Sequence, residues 1–137
     1  MSLVIDSSVT LGWFFEDERT DHADVVMRQV VKVGAVVPSL WWLEIANALQ
    51  SAVRRKRINA AFRDASIADL RAFPIAVDSE TDRHAWGTTL TLAERCRLTL
   101  HDAAYLELAQ RLRVPLASLD QELRAACRVL RVALRPA

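Results

Sequence analysis

Glycine and proline are scarce in this chain, three and four among 137 residues, and no glycine-rich loop of the dinucleotide-fingerprint or P-loop kind occurs. Nucleotide binding of those kinds is thereby excluded. Cysteine is limited to Cys96 and Cys127, which stand alone on helical stretches without the close pairing of zinc or redox motifs. Both are read as reduced, small core residues, the usage of a cytoplasmic protein. An excess of one charge is missing too: 18 Lys and Arg against 17 Asp and Glu leave a formal net charge of +1. No global field announces a nucleic-acid partner, although local basic patches can still steer a phosphate backbone. No apolar run approaches the roughly 20 residues that cross a bilayer. The opening MSLVIDSSV has no basic segment ahead of a long apolar stretch, so neither a membrane association nor a secretory leader is expected.

What is present is ordinary for a globular chain: 52% hydrophobic and 26% charged residues, too apolar for disorder. At this length one compact core is expected and two are not, so residues 1–137 are read as a single domain, folding alone or as a symmetric oligomer. Short β-branched runs alternate with helical periodicities. Leu3–Ile5, Ala35–Val37, Ile75–Val77 and Pro115–Leu119 read as strands, with a last edge strand over Val132–Leu134. Helices are expected from within Val9–Phe15, over Thr20–Lys32 with Gly34 as its cap, over Leu40–Val53 capped by Ser39, and over Asn59–Phe73. Three more follow: one opened by a Ser79–Asp82 capping box and reaching Cys96, one over His101–Leu112, and one over Gln121–Leu130. Glu16–Arg19 reads as a loop. This alternation predicts an α/β fold with a mostly parallel sheet of four or five strands flanked by helices and joined by right-handed crossovers. No repeat, linker or low-complexity segment interrupts it.

Four acids stand at informative places. Asp6 follows the first strand and Asp120 the fourth, at the carboxyl edge where open α/β sheets place ligands; each is also a good helix N-cap. Asp102 lies three residues after Thr99, a capping-box spacing at a helix start. Glu44 sits in LWWLEIANAL, whose apolar neighbours leave little solvated face, so a carboxylate without a partner would be expensive there. A divalent metal resolves that cost, because Mg2+ or Mn2+ takes hard oxygen ligands from a few carboxylates plus water, and crowded acids repel unless a cation lies between them. The chemistry such a site supports is metal-assisted hydrolysis of a phosphodiester, with one ion activating water, a second ion stabilising the leaving oxygen if present, and a carboxylate receiving the proton. Ser8 and Ser118 lie beside these acids. Each either makes a local capping bond, the commoner role for such hydroxyls, or hydrogen-bonds a metal ligand or water.

The segments VIDSSVTLGWFFEDE, VPSLWWLEIANAL, LTLHDAAYLELAQRL and PLASLDQEL, in that order and spanning nearly the whole chain, resemble the PIN-domain ribonucleases. In particular they resemble the VapC-type toxins of type II toxin–antitoxin (VapBC) pairs. By that resemblance Asp6 falls on the first-strand metal ligand and Glu44 on the acid of the helix after the second strand. Asp102 falls on the acid of the HDAAYLELA helix, and Asp120 on the acid ending the fourth strand. Ser118 takes a position often filled by Ser or Thr, and Ser8 matches a polar residue after the first acid. The resemblance implies a PIN-like fold, endonucleolytic cleavage of RNA with Mg2+ or Mn2+, a homodimer, and silencing by a cognate VapB-like antitoxin that inserts a segment across the site.

Other features are weaker. Arg54, Arg55, Lys56 and Arg57 form a run that either grips an RNA backbone or is a solvated helix end complementing the dipole. Trp13, Trp41, Trp42 and Trp86 either stack on unpaired bases or anchor the core and interfaces, and adjacent Trp41 and Trp42 face different directions. His22, His84 and His101 are scattered, without the helical pairing of zinc proteases. A haloacid-dehalogenase-like phosphatase needs a second Asp where Ser8 stands. A receiver-like domain has an acceptor candidate in Asp78 but no Lys after Lys56. The remaining rival is a PIN-like module that binds protein or RNA without cutting it, against which the retention of all four acids stands.

Overall fold

The computed structural model describes residues 2–18 and 20–137. Its centre is a five-stranded, all-parallel sheet in the order β3-β2-β1-β4-β5. The strands are β1 (Leu3–Ile5), β2 (Ala35–Val37), β3 (Ile75–Val77), β4 (Leu116–Ala117) and β5 (Leu134–Arg135). All three residues of β1 are buried, as befits a central strand covered on both faces.

Among the described residues eight helices connect them: α1 (Ser7–Leu11), α2 (Asp21–Val33), α3 (Trp41–Arg54), α4 (Ala60–Arg71), α5 (Thr81–Ala85), α6 (Thr88–Cys96), α7 (Leu100–Leu112) and α8 (Gln121–Leu130). A 3-10 turn occupies Glu16–Glu18 in the expected loop, whose last residue, Arg19, lies outside the described residues. Residues 103–109 of α7 are buried without a break, so this helix is covered on most sides; it packs on β1 and against α6 and α8. Trp13 and Trp41 are core residues. The Trp13 ring stacks on Phe73 and its indole N–H donates to Ala23 O at 2.9 Å.

Gly34 ends α2 at φ 81°, a conformation that side chains with a Cβ resist. With so few glycines, three other helices end on left-handed arginines: Arg97, Arg113 and Arg131, at φ between 56° and 58°. Their charge at a helix C-terminus offsets part of that backbone cost.

Some expectations are corrected. Ser39 does not cap α3: its backbone N–H donates to Thr81 Oγ1 at 3.2 Å, and α3 starts without a side-chain cap. The Ser79–Asp82 box does not form either. Thr81 instead bonds Asp78 at 3.1 Å, and the helix expected to reach Cys96 is divided by Trp86 and Gly87 into α5 and α6. The last strand lies at Leu134–Arg135, where its register with Leu116 and Ala117 places it.

Candidate active site

The chain leaves β1 toward β2 on one side and comes back to its other side at β4. The carboxyl ends of β1 and β4 therefore form the topological switch point, where loops diverge and leave a crevice. Asp6 lies there, with its N–H donating to Ala117 O at 3.1 Å and only 4% of its surface exposed. It is the N-cap of α1: Oδ1 accepts from Val9 N–H at 3.1 Å and from Ser8 Oγ at 2.7 Å. Ser118 Oγ, fully buried, donates to Oδ2. The same two hydroxyls accept from the backbone of the β4–α8 loop, Ser8 from Leu119 N–H and Ser118 from Asp120 N–H, both at 3.0 Å. Capping and support of the acid are thus one arrangement. Burial pushes the Asp6 carboxyl up to about 6 against the pull of its three hydrogen bonds, and the charge of Asp120 adds to the rise.

Asp120 caps α8, its Oδ1 accepting from Glu122 N–H at 3.0 Å. Asp102 sits half-buried in the first turn of α7, whose N-cap Thr99 accepts from Asp102 N–H at 3.1 Å. Burial raises the Asp102 pKa, and Asp120 and then Glu122 add to it, while Thr99 and His101 oppose. Glu44 occupies the first turn of α3. The surroundings expected for it need correction: Trp42 and Leu43 are exposed, Leu43 by 77%, so that face of α3 is open to solvent and Glu44 is only half-buried.

Its partner is Tyr105, whose hydroxyl donates to Glu44 Oε1. Tyr105 was not singled out from the sequence. The signal was there, since it lies three residues after Asp102 and so shares a helix face with it. Burial holds its phenol above the usual range, reinforced by the bond to Glu44 and by the charges of Glu44, Asp6 and Asp102.

Asp120 thus lies within electrostatic reach of both Asp6 and Asp102, and the phenol of Tyr105 feels Glu44, Asp6 and Asp102. The donor set fits Mg2+ or Mn2+ in kind, being oxygen throughout. Yet among the described residues no three His, Cys, Asp or Glu side chains stand close enough to hold one ion together. Asp6 is instead turned onto its cap and two hydroxyls, Asp120 onto the cap of α8 and Glu44 onto the phenol.

The basic run is elsewhere. Arg54 closes α3, on the order of 15 Å along the helix from Glu44. Arg57 is already engaged, with Nη2 at 2.9 Å from both carboxylate oxygens of Asp17 and its guanidinium 4.6 Å from the centre of the Phe15 ring. Lys56 and Arg57 line an open cleft of about 1390 Å3 together with Trp13, Phe14, Phe15 and Phe62. Asp78, after β3, is bound by Arg111 Nη1 and Nη2 at 3.2 and 2.7 Å, and Arg111 also holds buried Glu107. A further unforeseen residue is buried Arg124, which donates to Ser118 O at 2.9 Å and to Pro136 O at 2.8 Å, fixing the backbone that carries the Ser118 hydroxyl.

Residues 3–129 match the PIN domain family. The chain is 26% identical over 123 residues to ribonuclease VapC3 of Pyrobaculum aerophilum, covering 90% of this chain and 92% of that protein. Among solved structures it is similar to PAE2754 of the same organism, with a TM-score of 0.71, 22% identity and coverage of 98% of this chain and 83% of that one. It is also similar to VapBC2 of Rickettsia felis bound to a DNA fragment from their promoter, with a TM-score of 0.67, 11% identity and coverage of 98% and 97%. These likenesses bear out the α/β, PIN-like fold with its parallel sheet. No helix among the described residues is long and apolar enough to cross a membrane.

Proposed function

The chain belongs to the PIN-domain family, and from that premise we propose that it is a metal-dependent endoribonuclease, the toxin of a VapBC-type pair, with its site at Asp6, Glu44, Asp102 and Asp120. The observation that carries the reading is Asp6: a nearly inaccessible acid at the switch point, bonded to hydroxyls and one backbone N–H and loaded by the charge of Asp120. Such a group is costly in a metal-free protein, and a divalent cation relieves it. The name of the VapC3 relative supports ribonuclease as the activity.

When bound, Mg2+ or Mn2+ supplies Lewis acidity and activates water for attack at phosphorus. The four acids are the residues that would hold it. Ser8 and Ser118 keep both oxygens of Asp6 oriented, and a carboxylate of the set takes the proton lost by the attacking water. Arg54, Arg55 and Lys56, all exposed, are the cations best placed to meet an RNA backbone, since Arg57 is held by Asp17. The partner is a VapB-like antitoxin, a reading supported by the likeness to the VapBC2 complex. A homodimer is supported by the exposure of Trp42, Leu43 and Trp86, at 40, 77 and 92%. The functional unit is the single domain 1–137, acting in the cytoplasm.

Sequencing RNA 5′ ends after brief expression of wild-type and Asp6→Asn protein tests the activity. A site-specific set of cuts confined to wild type is expected, with purified protein losing cleavage in EDTA. Cuts that survive both Asp6→Asn and chelation would sink the mechanism; RNA binding without any cuts would identify a non-catalytic module.

A further inference from the structure

We propose that Tyr105 is a positioning residue: its hydroxyl, donating to Glu44 Oε1 across the α7–α3 boundary, holds that carboxylate with its second oxygen free for a divalent cation. The inference rests on the metal-dependent reading above. Three observations carry it. The Tyr105 residue is 1% exposed, so its ring is held by the core and its hydroxyl cannot wander. Its only hydrogen bond found among the described residues is to Glu44, and Glu44 is half-buried between exposed Leu43 and buried Ile45, with no other side-chain hydrogen bond among the described residues to fix its rotamer. Tyr105 also stands three residues beyond Asp102 on α7, so the two share a face of that helix.

A neutral donor suits this place better than a cation. Lys or Arg bonded to Glu44 would neutralise the carboxylate and compete with a metal ion. A phenol O–H satisfies one oxygen, leaves the net charge of the acids unchanged, and limits the side-chain entropy lost when Glu44 becomes a ligand. Asp6 is likewise held by neutral hydroxyls, Ser8 on Oδ1 and Ser118 on Oδ2.

The test is Mn2+ binding by titration calorimetry to wild type, Tyr105→Phe, Glu44→Ala and the double variant. Tyr105→Phe removes one oxygen and keeps the ring, and it is expected to weaken Mn2+ binding by about 10–100-fold with no further loss in the Glu44→Ala background. Equal affinity of Tyr105→Phe and wild type, or the same loss with Glu44 absent, overturns the proposal while leaving the metal site standing. Absence of Mn2+ binding by wild type overturns both. Because the chain has a single tyrosine, 3-fluorotyrosine incorporation gives one 19F resonance without altering the core. It is expected to shift on addition of Mg2+ to wild type and to stay unmoved in Glu44→Ala; an indifferent signal in wild type again overturns the inference.

Discussion

Asp6 and Asp78 each follow a parallel strand at the same edge of the sheet, Asp6 after β1 and Asp78 after β3, and they receive opposite treatment. Asp78 is given a guanidinium: Arg111 binds both its oxygens and bridges to Glu107, and the Asp78 pKa falls below its ordinary value, Arg111 and Thr81 overcoming the opposing effect of burial. Asp6 is given hydroxyls and acidic neighbours, and its pKa rises to about 6 with burial as the leading cause. The first arrangement is complete in itself and ties β3 to α7. The second is short of positive charge, and a shortfall built into a buried, well-ordered network is what a cation-binding site requires in advance of its ion.

The largest expected effect breaks the Asp6 side. Asp6→Asn should cut RNA cleavage by roughly 1,000-fold, the scale of removing a group on which transition-state charge stabilisation depends. In EDTA at neutral pH the same variant should melt higher than wild type, because the amide keeps the cap and loses the buried charge. Cleavage assays and calorimetry on one preparation check both. On the other side, Asp78→Ala leaves Arg111 with Glu107 as its remaining partner and should cost about 2 kcal/mol in urea unfolding, the scale of lost hydrogen bonds to a charged group. Cleavage by the folded fraction should be retained.

Acid titration separates the two carboxylates further. For Asp6 the native state holds its proton up to about 6, whereas the unfolded chain releases it near 3.8. The metal-free protein should therefore lose on the order of 3 kcal/mol of stability as pH rises through that window, and Mg2+ at pH 7.5 should restore it. Asp78 has the opposite sign: its contribution is present above 3.8 and is lost as pH falls through its lowered native value. Denaturation curves at stepped pH in EDTA resolve the two, and Asp6→Asn should remove only the first. The smallest effect is that of Ser118→Ala. It deprives Asp6 Oδ2 and Asp120 N–H of their partner, should raise the Asp6 pKa further, and should slow cleavage about tenfold, read from the pH–rate profile.

Much of this was legible in residue order. The three strands Leu3–Ile5, Ala35–Val37 and Ile75–Val77 appear where β-branched runs and Pro38 bound them, because short apolar runs between polar stops have few alternatives in a covered parallel sheet. Thr99 and Asp120, read as caps, are found capping, while Thr20 and Asn59, read as the first residues of their helices, prove to be the N-caps. Ser39 and Ser79 fail as caps for different reasons: the Ser39 backbone meets Thr81 across 42 positions, which no local rule contains, whereas Ser79 is bypassed by a competing local bond from Thr81 to Asp78 three residues back. The solvated face of α3 was misread because apolar residues beside Glu44 suggest burial only if something covers them.

Residue types and spacing by themselves determined that acids would end β1 and β4, that another would open α7, and that a fourth would ride α3, because strand ends and helix starts are local properties. Only the tertiary structure decided which strand-end acids are neutralised and which are not. Asp6 and Ser118 meet across 112 positions, Tyr105 reaches Glu44 across 61, and Arg111 reaches Asp78 across 33. Charge balance in a buried site depends on those distances through space, which no local pattern contains.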